Sequence, residues 1–132
     1  MIYSKMLGKN NTRLCMEAWN MIESYSFGRI KVDGKSYAND LIIFPDRVQD
    51  HWWRKEGHKL SIDDLKDVWQ AEPEVLIVGT GYYGFMKVPS EVKDQLTARN
   101  VELLVENTKD AWQTYNRLAS KKRVVAAFHL TC

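Results

Sequence analysis

The sequence has few cysteines and no long apolar run. Its two cysteines, Cys15 and Cys132, lie near opposite ends of a 132-residue chain. Two isolated cysteines form neither a disulfide framework nor a metal site. No apolar run approaches the roughly 20 residues that a membrane-spanning helix requires. The sequence therefore predicts no disulfide scaffold, no metal centre and no membrane span.

Targeting signals and strong net charge are also missing. The N-terminus lacks the charged, apolar and small-residue regions of a secretory signal, and it has too little arginine for a mitochondrial transit peptide. These features predict a cytoplasmic protein. The net charge is only +2, and residues 1–20 carry three of the 19 basic and one of the 17 acidic side chains. The rest of the chain is therefore neutral and predicts no nucleic-acid partner.

The length fits one domain. Residues 1–20 have no clear hydrophobic period, and Gly8, Asn10 and Asn11 interrupt any helix. We therefore predict an N-terminal appendage over residues 1–20, followed by a single domain over residues 21–132.

The order of secondary structure predicts an α/β fold. Asp33-Gly34 is typical of a two-residue hairpin turn. It lies between a β-prone stretch over residues 25–32, in which Gly28 forms a bulge or a close backbone contact, and a return strand over residues 37–44. Three helices and three strands then alternate, which favours a mixed, largely parallel central sheet with helices on its faces. The predicted segments are a short strand at 47–53, a helix from Ser61, a strand at 75–78, a helix from 89–91, a strand at 101–105, a helix capped by Thr108 and a strand at 124–130.

A glycine loop, residues 79–84, follows the predicted strand at 75–78. Gly79, Gly81 and Gly84 match the G-x-G-x-x-G pattern of dinucleotide-binding loops. However, the helix begins late, and Tyr82 and Tyr83 are bulky where a backbone must approach phosphate. The pattern is compatible with a tight turn that needs positive φ, or with a loop that binds an anion or small ligand through residues including Thr80. We expect no nicotinamide or flavin cofactor.

A second candidate is the charged and aromatic segment over residues 50–59. Stacked tryptophans and cations can hold a phosphate or base, or contact a protein partner. The topology predicts that Trp53, Arg54, Lys55 and His58 lie beside the glycine loop, because a crossover helix from Ser61 runs antiparallel to the strand it feeds. The segment could also be a solvated loop whose tryptophans cover the core, and nearby acidic residues could neutralise its cations: Glu56, Asp63 and Asp64.

The terminal residues His129 and Cys132 suggest a nucleophile and its base. They are three apart on a predicted strand, so their side chains point to opposite faces. We therefore assign no catalytic residue.

Four stretches resemble the Mth-type α/β domain family of unknown function, whose members include an adipogenesis-associated protein and a mitochondrial complex I assembly factor. The resemblance implies a three-layer fold with a mixed central sheet, and it implies no established enzyme activity and no known cofactor. It places the family's glycine loop on Gly79, Gly81 and Gly84. The matching stretches are SYSFGRIKVDGKSYANDLIIFPDRV, WWRKEGHKLSIDDL, PEVLIVGTGYYGFMKVPSEV and YNRLASKKRVVAAFHLTC.

The resemblance and the lack of a paired acid and base favour a non-enzymatic protein-interaction or assembly-type domain with a protein partner. The alternative is a domain, including an undiscovered enzyme, that binds a small anionic ligand between the glycine loop and the segment from Trp53 to His58. The candidate surface is the same in both interpretations: Trp53, Arg54, Lys55, His58, Gly79, Thr80, Gly81 and Gly84.

Overall fold

The computed structural model describes residues 19–132, and their first elements form a three-stranded antiparallel sheet. Its strands are β1 (Ile22–Ser26), β2 (Arg29–Val32) and β3 (Lys35–Tyr37). Asp33 and Gly34 join β2 to β3 with φ of 50° and 82°, which confirms the predicted hairpin. Gly28, with φ of 78°, lies in the turn between β1 and β2. The prediction of a bulge within one strand was therefore wrong, and the backbone contact that was the alternative is present, because the Gly28 amide donates to the Leu130 carbonyl at 2.8 Å.

The second sheet has five strands in the order β5-β4-β8-β6-β7. Strand β8 pairs in parallel with β6, which pairs in parallel with β7, whereas β4 is antiparallel to both β8 and β5. The strands β6 and β8 are buried along their whole length. The bounds of the strands are β4 (Leu41–Phe44), β5 (Arg47–Gln49), β6 (Val75–Thr80), β7 (Glu102–Glu106) and β8 (Val124–His129).

The predicted return strand over residues 37–44 is divided between the two sheets. Its first residue, Tyr37, is the last residue of β3, and residues 41–44 form β4, with residues 38–40 between them. Asp40 therefore stands at the point where the chain leaves one sheet for the other.

Three helices cover the five-stranded sheet. A 3-10 turn (Ile62–Leu65) leads into α1 (Lys66–Ala71), and the later helices are α2 (Ser90–Ala98) and α3 (Thr108–Ala119). The N-cap of α3 is Asn107, whose side chain accepts a hydrogen bond from the Asp110 amide at 3.1 Å, so the assignment of Thr108 as the cap was wrong. No helix in the described part of the chain is long and apolar enough to cross a membrane.

The core consists of two apolar layers, one on each face of the five-stranded sheet. On one face Ile42, Leu76 and Val125 pack with residues of α1 and α2. On the other face Ile43 and Ile77 pack with residues of α3 and of the three-stranded sheet. Alternate strand residues point to opposite faces, so each strand contributes to both layers. This arrangement is the three-layer α/β fold with a mixed central sheet, an N-terminal hairpin and three helices that the sequence and the resemblance predicted.

Candidate functional site

The candidate residues meet at one edge of the five-stranded sheet. Because β6 and β8 are parallel, their carboxyl ends lie together, and the amino end of the antiparallel β4 lies beside them. This geometry brings Thr80 and His129, at the ends of β6 and β8, to the same edge as Asp40, which precedes β4. Parallel α/β sheets form their sites at such an edge.

Asp40, Arg54 and His129 form a buried network at this edge. The Asp40 carboxylate lies 2.9 Å from Arg54 Nη1 and 2.8 Å from His129 Nδ1, and it accepts a hydrogen bond from the Leu130 amide at 2.8 Å. Arg54 Nη2 donates to the Gly57 carbonyl at 2.8 Å. The network therefore ties together the segment before β4, the segment around Arg54 and the end of β8.

The network holds Asp40 ionised. Burial acts to raise the pKa of the Asp40 carboxyl, but the hydrogen bonds from His129 and the Leu130 amide outweigh it. The electrostatic attraction of His129 and Arg54 acts in the same direction, so the pKa lies below its ordinary value. Asp40 is thus the charge that allows the Arg54 guanidinium to be buried.

An aspartate that orients a histidine is half of a general-base arrangement, but here the histidine is enclosed. His129 Nδ1 lies 2.8 Å from the Asp40 carboxylate and 3.2 Å from Arg54 Nη2, so this charged pair holds one nitrogen of the ring and leaves Nε2 on its other side. This Nε2 is buried and has no hydrogen-bond partner among the described residues. The contacts of Asp40 with His129 and Arg54 connect three segments of the chain, and within residues 19–132 no nucleophile is placed beside the histidine.

Contacts within the protein account for the conformation of the glycine loop. The amides of Gly81, Tyr82 and Gly84 donate to Thr108 Oγ1, the Thr131 carbonyl and the Gly81 carbonyl, at 2.9, 2.7 and 3.2 Å. Gly81 has φ of 109°, and a Cβ there would lie 2.7 Å from the Thr131 carbonyl oxygen. These contacts explain the loop as a close-packed turn.

The remaining glycine-loop candidates are also in contact with neighbouring elements. A Cβ at Gly79 would lie 2.5 Å from the Phe128 ring, and Gly84 has φ of 73°. Thr80 is buried and donates from its hydroxyl to the Glu106 carbonyl at 3.2 Å. Ligand binding by this loop stays a prediction.

The charged segment and the residues that follow the glycine loop are neighbours, as predicted from the crossover. The Lys87 amide donates to the His58 carbonyl at 2.8 Å, and the Leu60 amide donates to the Lys87 carbonyl at 2.9 Å. The His58 ring lies with its centroid 5.5 Å from the His129 ring and 6.4 Å from the Phe85 ring. The two segments therefore form one surface.

Two of the predicted cations on this surface are paired internally. Arg54 faces Asp40, and Lys55 Nζ donates to Asp63 at 2.6 Å. Asp64 accepts hydrogen bonds from the amides of Lys55 and Ser61 at 3.2 and 2.9 Å, so it occupies the start of the 3-10 turn. Neutralisation by the acidic residues named above therefore holds for Lys55, whereas Arg54 is neutralised by Asp40, which was not among them. Trp53 is largely exposed.

The main feature that the sequence analysis missed is an exposed aromatic surface formed by Phe27, Tyr82, Tyr83 and Phe85. Phe27, Tyr83 and Phe85 are 51%, 61% and 53% exposed. Ring centroids lie 5.8 Å apart between Phe27 and Tyr82, 5.0 Å between Tyr82 and Tyr83, and 5.8 Å between Tyr83 and Phe85. The aromatic surface is therefore continuous from the β1–β2 turn to the glycine loop and its flank.

Residues 19–132 contain no group of three or more His, Cys, Asp or Glu side chains that could hold a metal ion. In this part of the chain, we identify no candidate metal centre.

Comparison with known proteins identifies relatives over nearly the whole described domain. The family model described as "Protein of unknown function (DUF498/DUF598)" matches residues 22–130. Over 113 residues, 83% of the chain, the sequence is 30% identical to the zebrafish (Danio rerio) protein named NADH dehydrogenase [ubiquinone] 1 alpha subcomplex assembly factor 3. The chain spans 63% of the length of that relative.

Solved structures show the same fold. A conserved hypothetical protein from Pyrococcus horikoshii OT3 is 32% identical, with a TM-score of 0.73 over 84% of this chain and 98% of that one. A Bordetella pertussis protein described as an Mth938-like domain is 22% identical, with a TM-score of 0.63 over 90% of this chain and 92% of that one. These matches confirm the resemblance to the Mth-type family.

Proposed function

We propose, on the premise that the chain belongs to the DUF498/DUF598 family of proteins of unknown function, that it binds another protein and has an assembly-type role. The similarity to a zebrafish protein named as an assembly factor supports this proposal, because the shared region includes nearly all of the described domain. The name of that relative describes the relative and not this chain. We therefore propose protein binding and an assembly-type role without naming a target.

The observation that carries the proposal is the aromatic surface. Large aromatic side chains that cluster in solvent are typical of protein-binding sites, since their burial supplies much of the binding free energy. Phe27, Tyr83 and Phe85 are each more than half exposed although the chain has a full core on both faces of its sheet. A protein partner would bury these rings.

The rival function, capture of a small anion, has less support from the same edge. Three amides of the glycine loop, those of Gly81, Tyr82 and Gly84, donate hydrogen bonds within the protein. Arg54 and Lys55 face Asp40 and Asp63. Two surface depressions of about 380 and 360 Å³ lie at the opposite edge of the sheet, beside Arg123 and Pro73 respectively.

We also propose a cytoplasmic location, which microscopy of the tagged chain in its native cell would test.

Photo-crosslinking in the native cell tests the proposed function. A benzophenone amino acid replaces Tyr83 in one variant and, as a matched control, replaces Met21 in another. Met21 is 48% exposed and lies beside Asp33, outside the aromatic surface. We expect position 83 to give a discrete crosslinked protein that position 21 does not give.

A second variant connects that crosslink to the surface. Adding Phe27→Ala and Phe85→Ala to the position 83 variant removes two of the exposed rings, and we expect the crosslink to disappear while the melting temperature stays close to that of the parent. The proposal fails if positions 83 and 21 give the same products, or if the crosslink persists without the two rings.

A further inference from the structure

We infer that the partner segment bound by the aromatic surface is acidic, with carboxylates beside a large apolar anchor. This inference rests on the proposed function and adds the chemistry of the partner to it. It comes from the lysines beside the aromatic rings: Lys59, Lys87 and Lys109.

Lys59 and Lys87 oppose each other across a parallel β-bridge next to Phe85. Both are exposed, and residues paired in this way carry their side chains on the same side of the strands. Like charges in such a pair destabilise the structure unless a counter-charge lies between them. The bridge therefore has a local electrostatic cost.

One carboxylate is near this lysine pair. Glu56 opposes Lys59 across an antiparallel bridge, and its single negative charge does not balance both lysines of the pair. Within the part of the chain that the structure describes, neither lysine forms an ion pair at 4.0 Å or less. A carboxylate from another molecule would relieve the repulsion that Glu56 leaves.

Lys109 contacts a different ring of the aromatic surface. Its Nζ lies 4.5 Å from the centroid of the Tyr82 ring, which holds the ammonium group over that ring. Lys109 also forms no ion pair at that distance within the described residues. Exposed rings with one lysine at Tyr82 and a lysine pair next to Phe85 match a segment that carries an apolar residue between carboxylates.

Fluorescence anisotropy with three labelled peptides tests this inference on the full chain. Each peptide has a central Trp-Leu pair, and the flanking positions are glutamate, glutamine or lysine. We expect the glutamate peptide to bind most tightly and to weaken as sodium chloride rises from about 50 to about 300 mM, because salt screens exposed charges. Vesicles containing phosphatidylserine form a fourth arm.

The lysine variants identify the surface. Lys59→Gln with Lys87→Gln should weaken binding of the glutamate peptide about fivefold and leave the glutamine peptide unchanged, the size expected for two exposed charge pairs. The matched control is Lys31→Gln with Lys93→Gln, two exposed lysines on β2 and α2. The control should bind as the parent does.

The outcomes separate this inference from the proposed function. Equal binding of the glutamate and glutamine peptides, or no effect of the Lys59 and Lys87 substitutions, overturns the acidic partner and leaves protein binding standing. Preference for the lysine peptide or for the anionic vesicles, or no binding in any arm, also overturns it. The crosslink from position 83 decides the proposed function independently of all these results.

Discussion

Replacing Asp40 should show how strongly the buried network holds the edge of the sheet. Asp40→Ala removes the carboxylate that faces Arg54, along with the acceptor for His129 Nδ1 and for the Leu130 amide. Removing one member of a buried ion pair typically costs about 3–5 kcal/mol, since the remaining charge stays desolvated. The Asp40 side chain is 19% exposed, so we expect the lower part of that range, about 3 kcal/mol.

Asp40→Asn gives a graded comparison. Its amide oxygen can still accept from the Leu130 amide, but its charge is lost, and we expect a cost of about 2 kcal/mol. Asp46→Ala is the matched control, because Asp46 pairs with Arg47 at 3.2 Å in solvent, where an ion pair contributes about 0–1 kcal/mol. Urea denaturation at pH 7 measures all three. A loss below about 0.5 kcal/mol in Asp40→Ala would refute the role assigned to the network.

The difference in unfolding free energy between wild type and Asp40→Asn should depend on pH, and the pKa of Asp40 fixes the direction of that dependence. The pKa of Asp40 is lowered in the folded state, so its stabilising contribution is fully present above the unfolded pKa of about 4 and is lost as pH falls through the folded pKa. The difference in unfolding free energy between wild type and Asp40→Asn should therefore narrow below about pH 4. A difference that stays constant down to pH 2 would contradict the ionised Asp40.

Other predictions concern backbone strain, the N-terminus and nucleotides. Gly34→Val should cost about 1 kcal/mol or more through its positive φ alone, because the space around a Cβ is open, and an unchanged melting temperature would contradict this. Gly81→Ala should cost more, about 2–3 kcal/mol, because its Cβ meets two backbone oxygens at 2.7 and 2.9 Å; chemical denaturation would compare the two variants. Removing residues 1–20 should leave a folded domain that is about 1–2 kcal/mol less stable than a chain starting at Trp19. The loss is expected because Asn20 Nδ2 donates to the Phe44 carbonyl and the Tyr115 hydroxyl donates to the Asn20 carbonyl. Loss of a cooperative unfolding transition would show that residues 1–20 belong to the core. Calorimetry should show no micromolar binding of NAD(H) or FAD, because the amides of Gly81, Tyr82 and Gly84 already donate hydrogen bonds within the protein. Stoichiometric binding would show that the glycine loop does bind a nucleotide.

Elements with local signals were predictable from the sequence. Asp33-Gly34 is a strong signal for a tight hairpin. The apolar run at 75–78 predicts β6, and Pro89 predicts the helix that begins at Ser90. The division between β3 and β4 was not predictable in this way. Asn39 and Asp40 are residue types that strands disfavour, but they do not indicate which sheet the chain joins next. What moves β4 to the second sheet is its pairing with β8, which lies more than 80 residues later in the chain.

The candidate site was predictable only where topology fixes it. The crossover rule correctly brought the charged segment beside the glycine loop. Asp40 and His129 are 89 positions apart, and no spacing in the sequence connects them. Tyr82 and Tyr83 were visible as bulky loop residues, but the aromatic surface also needs Phe27 from the three-stranded sheet, and only the three-dimensional fold supplies it.

The central position of β8 has a consequence for biosynthesis. The chain makes β4, β5, β6 and β7 before β8, yet β8 lies between β4 and β6. The residues after it also accept hydrogen bonds from the turn at Gly28 and from the glycine loop, through the carbonyls of Leu130 and Thr131. On the ribosome, the two halves of the sheet therefore stay separate until residues 124–131 have left the exit tunnel. The contact between Phe27 and Tyr82, which joins the two parts of the aromatic surface, is therefore complete only then.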